Sequence, residues 1–399
     1  MRVLLVAGEF PPMQGGLGAF SSCLAEALVR QGCQVTVFVP CAAEKASSSV
    51  VEPFSLEAAA TGWGWRDLHR LSKLVRRFDI VNLQYQAAAY GMRLPIHFLP
   101  WLCRRLALPL LTTFHDLRLP YLFPKAGPLR QAAVRWLLQG SAGVIVTNEE
   151  DLLTAAALAP GVRPELVRIG SNIEPAAYDA VKRQRLRRQW GCTEATTVIC
   201  YFGFLNASKG ALDLVEALAL LRSQGEDVRL VFIGGLIGAS DATNASYAEQ
   251  VRARVDVLGL QERVTYTGFV DEEDVSAAFY ASDICALPYR DGASYRRGSL
   301  MAALAHGMPI VTTEPVLPIA GLSEGNNVLL APPADPQTLA QGLAFLAHHP
   351  EERERLSQSA RSLAQSFRWD TIACDTLAVY QRMGELIVHR ITNGALDRR

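Results

Sequence analysis

The feature that most constrains this chain is a repeated alternation. Short β-branched runs lead into polar or glycine loops, and longer stretches with helical spacing follow, through most of its 399 residues. Arg2–Val6 is an apolar run followed by a glycine loop. Phe20–Gln31 then has helical character and stops beside Gly32, a residue suited to a helix end. Val35, Val37 and Val39 alternate within the strand expected at Gln34–Val39, and Ile80–Leu83, Leu110–Phe114 and Gly143–Thr147 continue the series. Strands separated by helices call for a parallel sheet covered on both faces.

The pattern restarts after Lys182–Trp190, a segment dense in Arg and Gln that reads as a solvated helix or linker. Thr197–Phe204, Val228–Ile233, Val264–Tyr266, Ile284–Pro288, Ile310–Thr313 and Asn327–Leu330 are the expected strands of this second half. Ala211–Ser223, Ser246–Leu258 and Leu300–His306 are helices among them. The expectation is an α/β protein of two doubly wound, Rossmann-like domains in tandem. Residues 1–176 form the first, with 378–399 packing back on it, and 177–377 form the second.

Composition narrows the function classes. Lys+Arg and Asp+Glu are both 39, so the chain lacks the basic excess of a protein devoted to nucleic acid. Half the residues are apolar, which is ordinary for a globular fold. The eight cysteines are scattered without a Cys-x-x-Cys pair and read as free, mostly buried thiols of a reducing, cytoplasmic compartment. The apolar start is too short for an export signal, and Arg104 and Arg105 divide the apolar stretch Leu94–Leu111.

Ligands of open α/β sheets bind beyond the carboxyl ends of the strands, so the loops there carry the candidate residues. Gly15-Gly16-Leu17-Gly18 lies between the first strand and the first helix, where glycines let the backbone approach a ligand and the helix end attracts anions. Its spacing matches neither a dinucleotide fingerprint nor a Walker loop. His115-Asp116 follows the strand Leu110–Phe114 and offers a partner for a sugar hydroxyl or a phosphate. Gly203 through Lys209-Gly210 opens the second half, with Lys209 at the amino end of a helix, a place suited to phosphate. The loop Tyr289–Ser299 adds Ser294, Arg296, Arg297 and Ser299. No Asp-x-Asp triplet is present to hold a metal against a diphosphate, and no Gly-x-Ser-x-Gly elbow suggests a hydrolase.

In their order and spacing these motifs resemble the retaining GT-B-fold glycosyltransferases of family four. The resemblance extends through Val264-Thr265-Tyr266-Thr267-Gly268-Phe269-Val270, Ala303–Val311 and the tail Phe367-Arg368-Trp369-Asp370. It implies two domains facing across a cleft and a last helix that crosses back to the first domain. It also implies sugar transfer from a nucleotide-linked donor to a glycan, lipid-linked or small-molecule acceptor, with retention and without metal or other cofactor. By this resemblance Lys209 holds the donor diphosphate, Gly16 contacts donor phosphate and His115 lies near the transferred sugar. Gly15, Gly203, Ser294, Arg296, Arg297 and Ser299 complete the expected donor set. The same resemblance places Ser294 and Ala302 where the family carries two glutamates, and Phe204 where it carries an arginine. Arg296 and Arg297 are candidates to replace the missing arginine. A non-catalytic GT-B binding protein, and another GT-B enzyme such as an epimerase or phosphorylase, are the alternative readings. Trp65, Arg66, Arg70, Lys73, Arg76 and Arg77, with Trp101, Arg104 and Arg105, suit either a peripheral membrane contact or ordinary solvated helix faces.

Overall fold

The structure is a computed structural model and describes residues 1–13, 15–46, 53–117, 127–235 and 242–396. Its contacts divide the chain into two units, Met1–Gly170 with Arg368–Arg399, and Ser171–Phe367.

The first unit is built on a seven-stranded parallel sheet of order β3-β2-β1-β4-β5-β6-β7. The strands are β1 (Arg2–Ala7), β2 (Gln34–Pro40), β3 (Ser55–Ala60), β4 (Ile80–Tyr85), β5 (Leu110–Phe114), β6 (Gly143–Val146) and β7 (Glu165–Leu166). Its helices are α1 (Gly16–Arg30), α2 (Trp65–Leu74), α3 (Leu99–Arg105), α4 (Gly127–Gly140) and α5 (Glu149–Leu158). Val3 through Ala7 are wholly buried, as a central strand covered on both faces requires. One face packs Leu4, Val6 and Leu83 against Leu71 of α2, Leu102 of α3 and Leu137 of α4.

The second unit contains α6 (Ala180–Gln189), β8 (Thr197–Phe202), α7 (Ala211–Ser223), β9 (Val228–Ile233), α8 (Ala242–Val257), β10 (Val264–Tyr266) and α9 (Glu272–Ala281). It continues with β11 (Ile284–Leu287), α10 (Gly298–Ala305), β12 (Ile310–Thr313), β13 (Leu329–Ala331), α11 (Pro336–His348) and α12 (Pro350–Ala364). Its six parallel strands run in the order β10-β9-β8-β11-β12-β13. The charged segment Lys182–Trp190 lies largely in α6, where Arg187 bonds Asp283 at 2.9 Å and the carbonyl of Thr196 at 2.6 Å. Arg187 therefore fastens α6 to its own sheet, while Arg185 and Arg188 are exposed, as expected of a solvated helix. Asn148, Asp179, Asp271 and Asp335 cap α5, α6, α9 and α11 with side-chain oxygens, which fixes where these helices begin.

A last helix, α13 (Trp369–Leu396), belongs to the first unit. Trp369, Ile372, Tyr380 and Met383 complete the other face of its core with Phe20, Leu24 and Leu28 of α1. In that core Asn82 Nδ2 donates to Tyr380 Oη at 2.8 Å, and Thr113 Oγ1 donates to Asn82 Oδ1 at 3.1 Å.

Most strands lie within a residue or two of the sequence expectation, whereas β3 and β7 were not anticipated. The thiols are free, as expected; Cys33, Cys103, Cys200 and Cys285 are buried, but Cys41 and Cys374 are exposed. Among the described residues no helix is long and apolar enough to cross a membrane.

Replacing Tyr380 by Phe keeps the ring and orphans the buried Asn82 amide, so Tyr380→Phe should cost about 1–3 kcal/mol. The expected result is a lower urea midpoint for the transition that carries the first unit, read by hydrogen exchange at β4 and β5.

Candidate active site

In each sheet the strand order reverses at one place, between β1 and β4 in the first unit and between β8 and β11 in the second. Such reversals open a crevice at the strands' carboxyl ends. The sequence-expected loops follow these strands or their neighbour β5.

In the second unit the loop after β8 and the loop after β11 are locked together. Arg290 donates to both carboxylate oxygens of Asp213 at 2.8 Å, and its backbone N–H donates to Ser208 O at 2.8 Å. Gly210 has φ +70°, and a Cβ there would fall 1.9 Å from Pro288 O, so no other residue fits without moving the loops apart. Asn206 Oδ1 accepts the Lys209 backbone N–H at 3.1 Å and shapes the turn before α7.

This lock sets Lys209 beside Arg297. The lysine folds back over Gly203, where a Cβ would meet Nζ at 2.8 Å. Among the described residues nothing accepts a hydrogen bond from Nζ. Burial, and then the charge of Arg297, lower its pKa to about 8. Arg297 lies over the Tyr289 ring, 4.9 Å from its centroid, and pairs with Asp291. Asp291 thus pairs with Arg297, not with Lys209.

Two helices begin at these loops. Gly210 precedes α7 and Arg297 precedes α10, and neither helix has a side-chain cap. At α10 no side-chain oxygen of the preceding residue meets the first amides, whereas at α7 the Leu212 amide donates to Tyr247 Oη at 3.2 Å. The uncapped start of α10 and the two adjacent cations are suited to an anion with several oxygens.

The other expected residues of this loop have defined places. Ser294 O accepts from Arg297 N–H at 3.0 Å, and Ser294 Oγ accepts from Arg296 N–H at 3.3 Å. Both contacts hold the arginines' backbone. The Arg296 side chain is partly buried. Ser299 is buried, and its hydroxyl is shared with Tyr289 Oη at 2.7 Å. Ala302, aligned by resemblance with a glutamate, is wholly buried.

In the first unit the structure adds a residue that the sequence reading missed. Glu9 Oε1 accepts the amides of Leu17 at 3.0 Å and Gly18 at 3.3 Å, so α1 begins against an internal carboxylate. A Cβ on Gly15 would lie 2.0 Å from that oxygen, whereas one on Gly16 would meet nothing within 4 Å. Gly15 is therefore packed on Glu9, and Gly16 faces open space. Burial raises the Glu9 pKa, against the two amide bonds that lower it.

His115 follows β5. Its Nε2 meets Gln84 Oε1 at 2.8 Å, and its ring packs edge-on against Phe20 at 4.6 Å. With Nε2 donating, Nδ1 is left as an acceptor. Burial lowers the pKa to about 3, so the imidazole is neutral at physiological pH. The fully buried Gln84 has its Nε2 without a hydrogen-bond partner among the described residues. By contrast His306 is tied at both ring nitrogens, to Ala302 O and to Ser276 Oγ, and serves the core.

Comparison with known proteins agrees with this architecture. The family profile described as Glycosyl transferases group 1 matches residues 196–349, and that of the Glycosyl transferase 4-like domain matches residues 15–172. A D-inositol 3-phosphate glycosyltransferase of Jonesia denitrificans is 28% identical over 321 residues, covering 76% of this chain and 72% of its own. A GDP-mannose-dependent alpha-(1-6)-phosphatidylinositol monomannoside mannosyltransferase of Mycobacterium tuberculosis is 24% identical, covering 93% of this chain and 96% of its own. Among solved structures, Anabaena HepE in complex with UDP and glucose superposes with a TM-score of 0.76 at 18% identity, covering 96% of this chain and all of that one. Two glycosyltransferase profiles in tandem, on two parallel-sheet Rossmann-like units with GT-B glycosyltransferases as structural neighbours, show that the chain belongs to the group 1, GT4-like glycosyltransferases.

Proposed function

We propose that the chain transfers a sugar from a nucleoside-diphosphate donor to a hydroxyl acceptor with retention of anomeric configuration. One observation carries the reading: Lys209 and Arg297 stand together where the second sheet's strand order reverses, and the lysine has no acceptor among the described residues. A diphosphate supplies the negative charge that this pair lacks.

In the proposed reaction the donor's C1–oxygen bond to phosphate breaks, and the acceptor oxygen bonds C1 on the same face. The acceptor proton passes to the departing phosphate oxygen, giving the glycoside and a nucleoside diphosphate. Lys209 and Arg297 neutralise the leaving group, the role that a metal ion takes in other enzymes. The open amide of Gly16 offers a further phosphate contact. Neutral His115 accepts a hydroxyl of the transferred sugar at Nδ1 and, with its lowered pKa, adds no competing charge. The structural relative that holds UDP and glucose, and the mannosyltransferase whose name specifies GDP-mannose, support a nucleotide-linked donor. Relatives named for inositol phosphate and phosphatidylinositol mannoside support a polyol or lipid-linked acceptor.

A second reading has a specific basis. Ser294 and Ala302 offer no carboxylate to ribose or donor sugar, and Asp291 is engaged by Arg297. A binding protein without turnover would keep the phosphate cradle and lose these contacts.

Calorimetric titration with UDP-, GDP-, ADP- and dTDP-sugars tests the reading. One nucleotide should bind, and Lys209→Ala should weaken it by about 10- to 100-fold, the worth of a charge-assisted hydrogen bond of roughly 1.5–3 kcal/mol. Unchanged binding in Lys209→Ala would reject the cradle. Donor hydrolysis or transfer separates the enzyme from the binding protein.

The lysine also sets a pH signature. Lys209 loses its proton near pH 8 when unliganded, and a bound diphosphate raises that value again. Affinity should therefore fall as pH rises from 7 to about 9.5. Between those limits binding should take up a proton, seen as a heat that depends on the buffer's ionisation enthalpy. Lys209→Ala should abolish the uptake.

A further inference from the structure

The chain's overall charge balance conceals a strongly polarised segment. Residues 65–142 contain twelve Lys and Arg against three Asp and no Glu, in a chain whose totals cancel. Asp67 and Asp79 have defined partners. Asp67 is buried and accepts from Thr61, Gly64 and Arg70, and Asp79 holds Arg2. The segment's positive charge is thus poorly compensated from within.

Several large apolar side chains of α2, α3, α4 and the turn between them nevertheless stay exposed, and some of them touch. Phe98, in the turn Pro95–Phe98, lies 5.0 Å from the ring of Trp65 on α2 and 6.0 Å from that of Trp136 on α4. Trp101 on α3 carries the Arg105 guanidinium over its ring at 5.6 Å. Arg130 of α4 donates to Met92 Sδ at 3.3 Å, joining the loop after β4 to the same helix.

The six tryptophans divide cleanly. Trp63, Trp190 and Trp369 are buried, whereas Trp65, Trp101 and Trp136 are each more than half exposed, and all three exposed indoles belong to these helices. Leu94 and Leu129, adjoining the same turn and helix, are 58% and 77% exposed. An exposed indole suits the boundary between headgroups and acyl chains, and arginine beside it suits anionic headgroups. Aliphatic tips such as Leu94 and Leu129 gain nothing from a nucleic acid or a soluble polyanion. They gain from an apolar phase.

We propose that the outer face of α2, the turn Pro95–Phe98, α3 and α4 is a docking surface for an anionic lipid bilayer. Trp65, Trp101 and Trp136 enter the interface, and Arg66, Arg104, Arg105 and Arg130 meet the headgroups. This inference is independent of the donor chemistry proposed above, and its test contains no donor.

The test is sedimentation of the whole chain with vesicles of phosphatidylcholine alone, and of phosphatidylcholine with phosphatidylglycerol, at low and at physiological salt. The chain should sediment with the anionic vesicles, more weakly as salt rises, and at least about tenfold less with the neutral ones. Brominated acyl chains should quench and blue-shift the emission of the unmodified protein, a readout that requires no variant. Trp65→Ser/Trp101→Ser/Trp136→Ser should remove the quenching, and Arg104→Glu/Arg105→Glu should weaken sedimentation about tenfold or more. Circular dichroism of both variants should match that of the unmodified chain, since the altered side chains are exposed. Absence of sedimentation with anionic vesicles would overturn the proposal. So would sedimentation without quenching, sedimentation untouched by both variants, or equal affinity for duplex DNA.

Discussion

Arg290 and Asp213 make the contact on which the second unit's site depends. Two parallel hydrogen bonds join a residue of the loop after β11 to one in the first turn of α7, 77 positions earlier in the chain. A charge-assisted bond of this kind contributes roughly 1.5–3 kcal/mol, toward the low end here because Arg290 remains partly in water. Its larger effect is geometric. With Gly210 closed against Pro288 O, the two loops act as one rigid piece, and Lys209 and Arg297 are held together despite their repulsion. In the proposed function an incoming diphosphate would offset that repulsion without any movement of the framework.

The first unit handles the same physics in the opposite way. There the chain supplies its own anion: Glu9 takes two amides at the start of α1 and leaves Gly16 open. In the second unit α10 begins without a side-chain cap, beside Arg297. The contrast leaves an uncapped helix start next to the two cations of the second unit. The neutral His115 fits the same division, because it can order a polyhydroxyl ligand through hydrogen bonds without attracting phosphate.

The doubly wound architecture was legible because buried parallel strands are short runs of Val, Ile and Leu, and those runs stand out against the helices between them. The two strands that were not legible show why the rule fails at edges. β3 is Ser-Leu-Glu-Ala-Ala-Ala, without a β-branched residue, and is held by its backbone register with β2. β7 has two residues. The glycine loops, Lys209 and the two arginines were legible as types at strand ends. Their partners were not. Nothing in local spacing says that Glu9 turns back onto Leu17 and Gly18, that Arg290 reaches Asp213, or that the Ser299 hydroxyl is taken by Tyr289. These are tertiary choices, made by which loops the sheet order brings side by side. Charge was legible only in part: α6 is the solvated helix its composition suggests, but Arg187 turns inward to Asp283, and the zero net charge hid the basic segment of the first unit.

The placement of α13 has a consequence for how the molecule comes into being. The second unit is one uninterrupted stretch, Ser171–Phe367, whereas the first is split around it. Trp369, Tyr380 and Met383 fill the core beside α1, and Asn82 finds its buried partner in Tyr380. During synthesis the earlier-made sheet therefore has the face shared by α1 only partly covered until α13 is made. The later-made unit has by then had every residue it needs to fold, so the order of completion is the reverse of the order of translation.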